Sequence, residues 1–290
     1  MSAHAQPSDA HPVVTLLGIP FDANSSFLRG PAQAPNLIRQ ALYSDSSNLW
    51  TEDGLDLGRP NSILDAGDLE LPEDPVPAFA AIEARVEQVL RLGHPLITLG
   101  GDHSITYPIL KGFRPCWPEL TLLHFDAHPD LYDQLGGNRL SHACPFARIL
   151  EERLVRRLVQ VGIRTMNGGQ AEQARRFGVE VITMRDLAVP GSHRFADLHL
   201  EGPLYISFDL DVLDPAFAPG VSHYEPGGIS VRDALTLVQS LRVPVVGADI
   251  VEYNPTRDHH TQTAMVCAKL LKEIAVAMMR RGEAPASRWP

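Results

Sequence analysis

The stretch HFDAHPDLYD, residues 124–133, sets Asp126, His128 and Asp130 at alternate positions directly after an apolar run. An unpaired carboxylate at the tip of a core strand is costly to bury, so this density of acid calls for a compensating partner. Three other segments share the character. GGDHS at 100–104 brings His103, SFDLDVLD at 207–214 brings Asp209 and Asp211, and DIVEYNP at 249–255 brings Glu252. In extended chain, residues two apart point to one side, so Asp126, His128 and Asp130 are expected to aim together, as are Asp209 and Asp211. With His103 the set holds four carboxylates and two imidazoles. Carboxylates at close range repel strongly, and two divalent cations carry the charge that cancels four of them. Oxygen-rich ligation with one histidine per ion and no thiolate suits Mn²⁺ better than structural zinc. Six side chains are too few for two separate coordination shells. Bridging carboxylates and a bridging water or hydroxide are therefore expected, the arrangement of a two-metal hydrolase.

Each segment alone is weak. A DxHxD at a strand end can be a capped turn, GGDHS can be turn chemistry with Ser104 capping a helix, and DxD is common on surfaces. Their recurrence after separate strands gives the set its meaning. Short apolar runs rich in β-branched residues fall at 13–19, 62–66, 96–99, 120–125, 158–161, 179–182, 204–208 and 245–250. Helical periodicity lies between them: 77–92 carries Phe79, Ile82, Val86, Val89 and Leu90 on one face, and 230–241 opens with Ser230 and Asp233 near a capping arrangement. Residues 261–280 read as a nearly all-apolar helix, to be buried on the sheet or against a neighbouring subunit. Strands apolar on both faces alternating with helices predict a mainly parallel sheet covered on both sides. Such sheets bind ligands beyond the carboxyl ends of their strands, which is where four of these runs deliver acids and histidines.

Composition bounds the rest. The chain has 290 residues, 44% hydrophobic and 21% charged, which suits a sizeable core. No linker or repeat divides it, so a single domain over 1–290 is expected, with 1–12 a flexible tail. A net charge of -10 argues against a nucleic-acid-binding surface and against anionic membranes. No apolar run approaches the ~20 residues of a membrane helix. Three widely spaced cysteines fit a reducing compartment without disulfides, and the first residues show no targeting pattern, so a cytoplasmic location is expected.

As a set, GGDHS, DAHPD and SFDLDVLDPAFAPG resemble the ureohydrolase family of arginases, agmatinases and related guanidino-hydrolysing enzymes. The resemblance runs from GIPFDANSSFLRGPAQAP at 18–35 to DIVEYNP at 249–255. NSSFLRGPAQAP, DAHPDLYD, GGNRLSHA and PGVSHYEPGG are most similar to the plant-type arginases. The resemblance implies a three-layer α/β/α sandwich around a parallel sheet of about eight strands, two Mn²⁺ per subunit, and homo-oligomers, trimers or hexamers. It implies that Asp126 and Asp209 bridge the ions, that His103 and Asp130 complete one, and that His128 and Asp211 complete the other. Glu252 matches the guanidinium-binding glutamate and His142 the proton-shuttling histidine, with Asp130 a second proton relay.

The implied reaction is hydrolysis of a small guanidino substrate to urea and an amine. Candidates for holding the substrate's tail are Asn138 and Ser141 in the loop 131–141, Asn167 in IRTMNGGQ at 163–170, and His223 and Glu225 in GVSHYEPGG at 220–228. Animal-type arginases carry an aspartate and a glutamate in the second of these loops, where Asn167 and Gln170 stand here. L-arginine is the expected substrate. Agmatine or another guanidino acid is the alternative, and a metabolite-binding member of the fold without turnover is the alternative of a different class. Cys144 beside His142 invites a nucleophile reading, but no third group is in view to orient such a pair.

Overall fold

The computed structural model describes residues 13–189 and 195–280, so the expected tail at 1–12 lies outside the described residues. All eight apolar runs become strands: β1 (Val14–Gly18), β2 (Ile63–Asp68), β3 (Leu96–Leu99), β4 (Thr121–Phe125), β5 (Arg157–Ile163), β6 (Glu180–Thr183), β7 (Leu204–Asp209) and β8 (Val245–Val251). They form one sheet in the order β2-β1-β3-β8-β7-β4-β5-β6, and every neighbouring pair is parallel. Parallel neighbours need long crossovers. Helices α1 (Ala34–Leu42), α2 (Pro75–Leu90), α3 (Thr106–Phe113), α4 (Pro145–Glu151), α5 (Gly168–Phe177), α6 (Met184–Leu187), α7 (Val231–Gln239) and α8 (Gln262–Met279) lie along the connections and after the last strand.

The helices divide between the faces as the doubly apolar strands require. One core joins Leu16, Ile97, Leu123 and Ile206 of the sheet to Ile38 of α1, Val238 of α7 and Leu271 of α8. The other joins Leu17, Leu96, Leu122 and Tyr205 to Ile82 of α2, Ile109 of α3 and Phe146 of α4. The apolar C-terminal helix packs within the chain, against α1, α7 and β8. Local signals set the helix starts. Asp74 caps α2 by accepting from Val76 N, and Pro75 fits its first turn. Ser230 and Asp233 form a reciprocal capping box at α7.

Sheet order decides where the acids and histidines meet. The four strands followed by acids and histidines, β3, β8, β7 and β4, are contiguous at the centre of the sheet. Being parallel, they release those residues at one edge.

Candidate metal centre and its cavity

The second glycine of GGDHS is set by a steric demand. A Cβ on Gly101 would sit 1.7 Å from Phe21 O, so only glycine lets the turn after β3 pass the segment after β1. Asp102 then caps the short turn His103–Ile105 by accepting from Ser104 N at 3.1 Å, and His103 enters fully buried. Its Nδ1 lies 3.1 Å from Asp126 Oδ2, 3.1 Å from Asp130 Oδ2 and 3.1 Å from Asp209 Oδ2. A second grouping stands beside it: His128 Nδ1 is 2.9 Å from Asp211 Oδ2 and 3.4 Å from Asp126 Oδ1. The six expected side chains are brought together, and Asp126 reaches both histidines, one oxygen to each.

One expectation is corrected. The alternation of an extended strand is not what aims the ligands. Asp126 comes directly after the last residue of β4, and Asp130 turns back with φ 47, in the left-handed region that non-glycine residues seldom occupy. Asp211 lies in the tight turn Leu210–Val212, which Asp209 caps. That cap also bears on bridging: Asp209 gives Oδ2 to His103, while its Oδ1 accepts Asp211 N at 2.8 Å. Of the two residues expected to bridge, Asp126 reaches both histidines, and Asp209 reaches His103 and the backbone of Asp211. The connection is tightened by Ala127 N, which donates to Asp211 Oδ1 at 3.0 Å.

Beneath the ligands a row of buried polar residues crosses five strands in register: Thr98, Asp249, Ser207, His124 and Gln160. Ser207 donates to Asp249 Oδ1 at 2.7 Å, and Tyr205 and Thr106 hydroxyls donate to Asp249 Oδ2 at 2.9 and 3.0 Å. Ser207 Oγ is also 2.9 Å from His103 Nε2. With its own proton on Asp249, Ser207 must accept from His103 Nε2–H. That tautomer turns the lone pair of Nδ1 toward three carboxylate oxygens, and Nδ1 is buried with no well-formed hydrogen bond. A lone pair facing three anionic oxygens is repulsive unless a cation lies among them, so the donor set fits a metal ion. The neighbouring His124 Nε2 is 2.8 Å from Asp126 Oδ2 and steadies that ligand.

Titration behaviour points the same way. Burial disfavours charge on His103, yet Asp126, Asp130 and Asp209 outweigh it and hold the imidazole well above its usual value. A proton here occupies the place a cation would take. Burial pushes Asp209 up, helped by Asp211 and Asp126. Burial and then Asp126 raise Asp211 to about 6. Burial would raise Asp126 too, but His124, His103 and His128 hold it well below the usual range. The carboxylates cannot all ionise comfortably without added positive charge.

Glu252, after β8, has φ 63 and its N–H donates to Gly101 O at 2.9 Å. Its Oε1 accepts from His103 N at 2.9 Å and lies 2.8 Å from His142 Nδ1. Burial lowers the His142 pKa, but Glu252 outweighs it and lifts the ring to about 9. Both residues line a cavity of about 170 Å³ together with Asp130, Asp209, Asp211, His128 and His223. His223 Nε2 is buried there, with no hydrogen-bond partner among the described residues.

Of the tail-binding candidates, His223 faces the cavity, and Glu225 stands beside it with Oε1 3.4 Å from His128 Nε2. Asn138, Ser141 and Asn167 do not line it. Asn138 turns its side chain to Asn24 Oδ1 and Leu140 N. Ser141 is buried beneath Ala143 N. Asn167 caps α5 in a box with Gln170 and donates to the Tyr132 hydroxyl at 2.7 Å. Small polar loop residues satisfy local backbone groups first. Ser26, Tyr132, Thr165 and Gln170 line the cavity instead. Ser26 was within reach of the sequence: it lies in the segment after β1, and β1 belongs to the same parallel sheet as the strands that deliver the ligands.

Among the described residues no helix is long and apolar enough to cross a membrane, and the cysteines Cys116, Cys144 and Cys267 are free. Comparison with known proteins agrees with this geometry. The model of the Arginase family matches residues 13–277. The chain is 46% identical over 279 residues to arginase 1, mitochondrial, of Arabidopsis thaliana, covering 92% of this chain and 81% of that protein. It superposes on the arginase from Medicago truncatula with a TM-score of 0.87 at 42% identity, covering 92% of this chain and 88% of that one. It superposes on a hypothetical agmatinase from Burkholderia thailandensis with a TM-score of 0.84 at 30% identity, covering 93% and 87%.

Proposed function

The chain belongs to the arginase family, and from that premise we propose that it hydrolyses L-arginine to L-ornithine and urea with two Mn²⁺ ions. One observation carries the reading: Asp126 reaches His103 with one carboxylate oxygen and His128 with the other, beside a cavity that also holds the His142–Glu252 pair. His103 and Asp130 would complete one ion and His128 and Asp211 the other, with Asp126 and Asp209 shared between them. Bound divalent ions lower the pKa of coordinated water and so supply hydroxide near neutral pH.

The rest is the work of side chains. A guanidinium carbon is a poor electrophile because its charge is shared among three nitrogens. Glu252 pairs with the planar fork of that group, the favoured geometry between guanidinium and carboxylate, and holds the carbon toward the ligand cluster. The bond from that carbon to the tail nitrogen breaks only as the nitrogen takes up a proton. His142, kept charged near neutral pH by Glu252, holds a proton at the cavity wall for that transfer. Asp130, on the same wall, is the second group able to pass a proton. His223, with an unpartnered nitrogen, and Glu225 are the groups proposed to meet the tail.

A specific observation favours a second reading, agmatine. Among the described residues the cavity is lined by no lysine or arginine, so the carboxylate of L-arginine would have to be met by neutral donors such as Thr165, Gln170 and His223. Agmatine has no carboxylate to satisfy. Plant arginase relatives weigh toward L-arginine. Release of urea by the Mn²⁺-loaded protein from L-arginine, agmatine and guanidinobutyrate tests both. Fastest turnover of L-arginine is expected. Agmatine as the better substrate overturns the substrate assignment, and no urea from any compound overturns the hydrolase.

The same reading treats the chain as one ureohydrolase domain, supported by a sheet that runs unbroken through all eight strands. Assembly into trimers or hexamers is supported by the family resemblance and by the exposed rings of Tyr43 and Trp50. A cytoplasmic site of action is supported by the free thiols. The negative net charge speaks against nucleic acid as a partner.

A further inference from the structure

We infer that Ser26 is a positioning residue for His142, fixing the imidazole through Nε2 while Glu252 fixes it through Nδ1. The inference rests on the guanidino-hydrolase reading above and adds a residue to it. Ser26 Oγ lies 2.8 Å from His142 Nε2, and Glu252 Oε1 lies 2.8 Å from His142 Nδ1, so both edges of the ring are held. Among the described residues Ser26 is the hydrogen-bond partner of Nε2. The ring face is held too. His223 packs on His142 with centroids 5.4 Å apart, and Phe27, the neighbour of Ser26, packs on His223 at 5.6 Å.

The loop that carries Ser26 is anchored to the site itself. Asn24 N donates to Asp102 Oδ2 at 3.0 Å, Asn24 Nδ2 donates to Ser104 Oγ at 3.1 Å, and Asn24 O accepts from His142 N at 3.2 Å. Farther along, Asp22 Oδ2 accepts from Gly30 N at 2.7 Å, and Leu28 O accepts from the Ser222 hydroxyl at 3.2 Å. Ser26 is thus held two residues from a point bonded to the backbone of His142. A chance contact of an exposed loop would need none of this.

A hydroxyl both donates and accepts. Ser26 accepts Nε2–H from a charged His142 and donates to Nε2 of a neutral one. It therefore serves the ring on both sides of a proton transfer and fixes its direction without biasing its charge. Nearby hydroxyls that bind only the tail would act on affinity. A hydroxyl that aims the proton-carrying ring acts on turnover.

The test compares Ser26→Ala and Ser26→Thr with the parent protein, all Mn²⁺-loaded, by urea release from L-arginine and agmatine. Ser26→Ala is expected to lower kcat about ten-fold with KM within about two-fold, part of the ~10²–10⁴ a positioned acid–base group supplies. Ser26→Thr, which keeps the hydroxyl, is expected to restore most of it. A raised KM with unchanged kcat makes Ser26 a tail contact and overturns the inference, as does no change at all or a loss that Ser26→Thr does not recover. Imidazole nitrogen NMR of the metal-free proteins reads the contact without catalysis. The Nε2 signal of His142 should move in Ser26→Ala and stay in Ser26→Thr; an unmoved signal overturns the inference. If the parent protein releases no urea, the hydrolase reading fails by that result, and the NMR comparison still decides the contact.

Discussion

The two halves of the ligand cluster share Asp126 and are otherwise built differently. Around His103 everything is closed. The side chain is fully buried, three carboxylate oxygens face one nitrogen, and the other nitrogen stands on Ser207, which stands on Asp249. Around His128 the structure is open. Its side chain is 26% exposed, its second nitrogen meets Glu225 at 3.4 Å, and Glu225 is itself 32% exposed on the mouth loop. A site held in its direction by buried hydrogen bonds keeps its ligands aimed whether or not a cation is present. A site completed by an exposed loop depends more on the ion to order it. On the proposed two-ion reading, the half at His103 is the permanent one and the half at His128 the exchangeable one.

The hardest blow to this comparison removes what the halves share. Asp126→Asn takes charge from both at once, and loss of both ions with a fall in urea release of more than ~10³ is expected, several kcal/mol of lost stabilisation. Metal analysis of the purified variant checks it. One ion retained at full occupancy would show that Asp126 serves a single half. The next largest effect concerns the pair beside the closed half. Glu252 raises His142 from its usual value to about 9. A raised folded pKa adds stability that is complete below the unfolded value near 6.5 and is lost as pH climbs through about 9. The metal-free protein should therefore lose on the order of 3 kcal/mol of stability across that window from this pair. His142→Gln should flatten that part of the curve in thermal melts run against pH. An unchanged slope would remove the pair from the account.

How much of this was legible beforehand depends on the requirements of each feature. Apolar runs announce themselves locally, and all eight became strands. The convergence of the six candidate side chains was legible because acids and histidines after separate strands have few other reasons to be there. The second layer was not. Ser207, Asp249, His124 and Gln160 mean nothing until β7 is known to lie beside β8 and β4 beside β5, since register across strands joins them. The backbone turns at Asp130 and Glu252 were hidden for another reason: positive φ in a non-glycine residue is imposed by its surroundings. The loop candidates Asn138, Ser141 and Asn167 lie outside the cavity lining because their side chains bond to nearby groups, and only the fold shows that they do.

That second layer gives the sharper test of the closed half. Ser207→Ala leaves every proposed ligand in place and removes the support of His103 Nε2. A loss of about 10–100-fold in affinity is expected for one ion and little for the other, the size usual for outer partners of a metal-bound histidine. Titration of the metal-free variant with Mn²⁺ separates the two events. Equal weakening of both would mean that the halves are one coupled unit.

The smallest effect probes the open half from its rim. Glu225→Gln keeps the shape of the mouth loop and removes one charge facing His128 Nε2. Because both partners are partly exposed, water screens the interaction, and less than about 1 kcal/mol is at stake, a few-fold at most in the affinity of the weaker ion. The direction carries the argument. A negative charge at Nε2 favours the tautomer with Nε2 protonated, which leaves Nδ1 free to face Asp211 and Asp126. Removing it should weaken the exchangeable ion and leave the permanent one untouched, as read by Mn²⁺ titration at several salt concentrations, with the difference shrinking as salt rises. If the tighter ion weakened instead, the mouth loop would be coupled to the buried half, and openness to solvent would not be what distinguishes the two.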